Sequence, residues 1–152
     1  MGNAVHQVRA YVVEALASAR LLLPAIAEFA RGRAHGAPET QWAIERVQRT
    51  LSGHQEELTE HLTRLGGHAL LAGLNGASPD GQSIASVRDL YSRLIAAHER
   101  MLMLETNSRA LGFSSTAALA RRHREEVDTL LMRLRDALPA TVKGEIEKEP
   151  IF

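Results

Sequence analysis

Two histidine–glutamate pairs stand at the spacing that puts side chains together on one helix face. His54 precedes Glu57 by three residues, and His123 precedes Glu126 by three. His61 follows two turns beyond His54 on the same side. Imidazole nitrogen and carboxylate oxygen suit iron, zinc or manganese, which makes these residues candidate metal ligands. Burying them unpaired would be costly, so they must find a metal, water or each other. A metal-free hydrogen-bonded network is the competing expectation for the same side chains.

Both pairs belong to a repeat. Residues 54–65 read HQEELTEHLTRL and residues 123–134 read HREEVDTLLMRL, with six of twelve positions identical. In each copy the histidine falls where an apolar seam residue belongs, which predicts two equivalent helices about an internal two-fold axis.

Four helices are predicted to position these groups. Apolar residues recur at alternating spacings of three and four. Val5, Val8, Val12, Ala15, Ala19, Leu22, Ile26 and Phe29 form the first seam, and Ile44, Val47, Leu51, Leu58 and Leu65 the second. Ile84, Val87, Tyr91, Leu94, His98 and Met101 form the third, and Ala120, Val127, Leu130 and Leu134 the fourth. The predicted spans are 3–31, 38–65, 84–111 and 114–138. Gly66, Gly67 and Gly112 close helices, Pro38 suits a first turn, and Ser83 or Ser86 caps the third helix. Pro24 is predicted to kink the first. The third seam adds His98 and Glu105, with Glu99 beside it, to the ligand candidates. His35 and His68 read as loop residues.

Short connections join helices one and two, and three and four, which makes antiparallel pairs. Residues 67–83 are far longer, and 17 residues can extend to roughly 55 Å. That pattern predicts an all-α fold: a ferritin-like four-helix bundle over 1–139 with one long crossover between helices two and three, followed by a C-terminal tail, 140–152.

The composition excludes several classes. Lys plus Arg and Asp plus Glu are 18 each, so no basic excess points to nucleic acid. The absence of cysteine rules out disulfides, thiolate ligands and a thiol nucleophile. No apolar run is expected to reach membrane-spanning length, and the N-terminus reads as too polar for a signal peptide; a cytoplasmic location is expected. No phosphate-binding loop, dinucleotide fingerprint or zinc-protease motif occurs. A full di-iron centre is not expected either: that pattern needs Glu-x-x-His, here the order is reversed, and helix one offers no seam carboxylate.

In three stretches the chain resembles the YciF/YciE family of small ferritin-like bacterial proteins. They are ARLLLPAIAEFA (19–30), HQEELTEHLTRLGG (54–67) and SRALGFSSTAALARRHREE (108–126). The resemblance implies a ferritin-like bundle, dimerisation and a link to stress responses. It carries His54, Glu57 and His61 over as metal-ligand candidates, with Glu126 from the fourth helix. Leu16 stands where that family often has an acidic residue.

The reading is a transition-metal-binding, stress-associated bundle protein without a storage cage, with His54, Glu57, His61, His98, Glu99, His123 and Glu126 as ligands. The alternative is a metal-free dimeric bundle serving as an interaction or structural protein. Helix one carries few charges and an apolar excess at Val13, Leu16, Leu21 and Leu23, which predicts a homodimer centred on Leu16 and Leu23. The apolar stretch HALLAGL (68–74) could cover that face instead.

Overall fold

The computed structural model describes residues 2–32, 38–74 and 83–137. The fold is all-α. Four long helices, α1 (Gly2–Gly32), α2 (Pro38–Arg64), α4 (Val87–Ala110) and α5 (Ser114–Ala137), accompany a short α3 (Leu71–Leu74) entered through a 3-10 turn, His68–Leu70. The boundaries fall within three residues of those predicted. The tail, His35 and residues 75–82 of the predicted crossover lie outside the described residues.

Helix ends follow local chemistry. Ser86, rather than Ser83, caps α4: its side chain accepts from the Asp89 amide at 3.1 Å, and the Ala85 amide donates to Asp89 Oδ2 at 3.0 Å. The first of these bonds satisfies an amide that the first turn leaves without a helical partner. α2 and α4 stop in the same way. Gly66 and Gly112 adopt φ of 77° and 84°. The next amides, of Gly67 and Phe113, then reach back to Leu62 O and Ser108 O at 2.9 and 2.8 Å. Arg9 of α1 ties the end of α2 to its neighbour by donating to Leu65 O at 2.6 Å. α1 continues through Pro24 as one helical element.

α1 packs on α2 and α4, and α5 packs on α4 and α2. Their buried faces form two apolar clusters. One gathers Ile26 and Phe29 of α1, Ile44 and Val47 of α2, Val87 and Leu90 of α4, and Leu130 and Leu134 of α5. The other gathers Val8, Val12 and Leu16 of α1, Leu58 and Leu62 of α2, Met101 and Leu104 of α4, and Ala120 of α5. Early α2 and early α4 therefore share one cluster, and late α2 and late α4 the other.

Leu16 departs from expectation. It is fully buried in the second cluster rather than turned outward. The stripe that α1 buries is wider than the single seam read from the sequence, taking in Leu16, Ala25 and Ala30 as well. Leu23 is half-buried against the first cluster, while Val13, Leu71 and Leu74 pack on the second. No large apolar side chain of α1 is exposed among the described residues. Leu16 therefore cannot centre a dimer interface in this fold. Its apolar excess has another correlate: over Asn3–Gly32, α1 is long and apolar enough to cross a membrane, contrary to the expectation from the sequence. Only 28% of its most apolar window is buried in this fold.

Candidate functional site: a stacked histidine pair

On α2, His54 lies between Leu51 of the first cluster and Leu58 of the second; on α5, His123 lies between Val127 of the first and Ala120 of the second. The two histidines form a polar layer that divides the core. Their rings stack with centroids 3.8 Å apart and planes 9° from parallel.

The carboxylates cross over. His54 Nε2 lies 3.4 Å from Glu126 Oε1, and His123 Nε2 lies 3.4 Å from Glu57 Oε1. Each histidine thus faces the glutamate that belongs to the other copy of the repeat. α2 and α5 run antiparallel about a local two-fold axis between the rings, which is why one dodecamer serves both. Glu57 and Glu126 were expected inward with their histidines. Positions i and i+3 differ by about 60° around a helix, and this offset brings both glutamates to the rim, their side chains 38% and 44% exposed.

Arg122 holds both carboxylates. Its Nη1 donates to Glu57 Oε1 at 3.2 Å and to Glu126 Oε1 at 3.3 Å, while Nη2 bonds Glu57 Oε2. These contacts, led by the Arg122 hydrogen bond, hold the Glu57 carboxyl below its usual range. Burial lowers the pKa of His54 against the pull of Glu126 and Glu57. Burial, followed by repulsion from His54, pushes His123 down to about 3. Both imidazoles are neutral at pH 7, and stacking at this distance disfavours charging the two together.

The remaining candidates sit elsewhere. His61 is buried, and its Nε2 pairs with Thr116 Oγ1 of α5 at 2.6 Å. Burial and then Arg64 lower its pKa. The two-fold counterparts of His61 and Thr116 are Leu130 and Val47, which share the apolar cluster at the other end. His98 is half-buried and Glu99 exposed on α4, and neither pairs with the other candidates among the described residues. Glu99 lines the groove between α1 and α4 with Tyr11 and Glu14. His68 is exposed.

A second polar centre forms around Glu105, a candidate on the third seam that is buried as expected, with arginine partners that were not anticipated. Glu105 of α4 is buried, and it accepts from Arg124 Nε of α5 at 3.0 Å and Arg109 Nη2 at 2.8 Å. Burial works to raise its pKa, but the two guanidiniums outweigh this and hold the carboxyl below its usual range. Arg122 was missed as well. Its four-residue spacing to Glu126 was visible in the sequence; its bond to Glu57 depends on how α5 docks.

The arrangement does not fit a metal ion as it stands. The oxygens that face the imidazoles are those that accept from Arg122 Nη1, so a guanidinium supplies the positive charge. α1 lines the centre with Ala15, Ser18, Ala19 and Leu22, none of them a carboxylate. Among the described residues no group of three or more His, Cys, Asp or Glu side chains could hold a metal. No protein-family model, curated protein or solved structure gives a significant match to the chain.

Proposed function

We propose that the chain is a four-helix bundle of the ferritin-like arrangement whose centre is a metal-free, arginine-held histidine–glutamate network, and that it serves as an interaction or structural protein. The bonds from Arg122 Nη1 to both carboxylates carry this reading, because they occupy the atoms a bound cation would need. The shared clusters of early α2 with early α4, and late α2 with late α4, support a parallel pair joined by a crossover along the bundle. The resemblance to the YciF/YciE family supports the same arrangement. Elemental analysis of untagged protein, grown and incubated with iron, zinc and manganese, tests the reading. Well under one metal per chain is expected; a stoichiometric metal would overturn it.

A second reading, a transition-metal protein of that family, is favoured by one observation. Both histidine–carboxylate edges measure 3.4 Å, close to the separation of two ligands on one ion with bonds of about 2 Å. It requires Arg122 to leave the carboxylates on binding, and the same elemental analysis decides between the two.

A further inference from the structure

His123 is fully buried, yet neither of its ring nitrogens has a hydrogen-bond partner. Nε2 lies 3.4 Å from Glu57 Oε1 without making a hydrogen bond. A neutral imidazole presents one N–H and one lone pair, and buried groups of this kind are almost always satisfied, by ordered water where protein atoms do not reach. The ring borders a partly open pocket of about 40 Å³ that all four long helices line. Ala15, Ala19, Leu51 and Met101 are among its apolar walls, and His54, Ser18 and Arg100 give it further polar edges. A water in the liquid occupies about 30 Å³, and a cavity holds one when polar partners are present. The size therefore admits a small molecule, and the orphaned nitrogens give it something to bind.

We propose that this cavity is a binding site for one small neutral hydrogen-bonding molecule, water in the free protein, seated against His123 at the centre of the helices. A neutral occupant suits it because the walls are mostly apolar and a bare ion would lose its hydration there. The histidine layer between the two apolar clusters then becomes a ligand site as well as a structural one.

Solution NMR of the full chain with labelled methyl groups tests this. Water should give nuclear Overhauser cross-peaks to the Ala19 and Val127 methyls, and neither xenon under pressure nor added chloride should move those methyl shifts. Absence of the water signal overturns the proposal. Shifts that follow xenon would mark a dry apolar void, and shifts that follow chloride an anion site; either result also overturns it. Ala19→Leu fills the cavity from α1 without touching His123. It should abolish the Val127 cross-peak while the chain stays folded; a cross-peak that persists would place the water elsewhere and overturn the assignment.

Discussion

His54 and His123 stack face to face across the α2–α5 interface, 3.8 Å between ring centroids, so the middle of the core is built from two imidazoles that cannot readily be charged together. Their pKa values lie below the ordinary 6.5, as does that of His61. The unfolded chain takes up protons near that value while the folded chain declines them. Stability is therefore full above about pH 6.5 and falls as the pH drops toward the His123 value of about 3. Each histidine contributes a slope of at most about 1.4 kcal/mol per pH unit. Glu57 and Glu105, lowered from 4.5, add their loss only at lower pH. Urea midpoints should fall between pH 7 and pH 5; a flat profile there would sink the assignment of neutral buried histidines.

Arg122→Ala is expected to create metal affinity that the parent lacks. Removing the guanidinium frees the carboxylate oxygens opposite the two imidazoles and leaves two histidine–carboxylate pairs, each able to offer two ligands. The stability cost should be small, about 1 kcal/mol or less, because the ion pairs are half exposed. Calorimetric titration with zinc at pH 7 reads the gain. If neither protein binds zinc, Arg122 is not what keeps a cation out.

Arg124→Ala should be costlier. It removes the α5 partner of buried Glu105 and leaves Arg109, whose side chain is 64% exposed, to hold that carboxylate alone. A loss of about 2–4 kcal/mol is expected, near the range for stripping one partner from a buried ion pair. The paired change Glu105→Gln with Arg124→Ala should recover part of it, measured by chemical denaturation. A fully additive double variant would show that the two side chains act separately.

Leu16 separates core from interface. Because it is fully buried, Leu16→Ala should cost about 2–5 kcal/mol, and Leu16→Glu should abolish helicity rather than release folded monomers. Circular dichroism with light scattering checks this. A folded Leu16→Glu variant of altered oligomeric state would return Leu16 to an outer face.

Helix existence and limits were legible because periodicity, caps and glycine stops all agree, as at Ser86 and Gly112. The histidine–glutamate pairs were legible as neighbours because i, i+3 spacing is a property of one helix. Stacking of the rings, exchange of the carboxylates and the Arg122 bridge were not. Each depends on the register of α5 against α2, which no local pattern encodes. His98 shows the limit of periodicity: it is half-buried, while Ala97, Arg100 and Met101 of α4 line the centre.

An antiparallel pair with a dyad at its middle looks the same from either end wherever its contacts come in matched pairs, as the stacked rings and crossed carboxylates do. The His61–Thr116 bond exists on one side only; its counterpart is the apolar Val47–Leu130. Sliding α5 by a turn would set a buried imidazole against hydrocarbon and strand a hydroxyl. With the Arg122 bridge, whose counterpart on α2 is Gly53, that bond makes the two ends of a two-fold contact distinguishable.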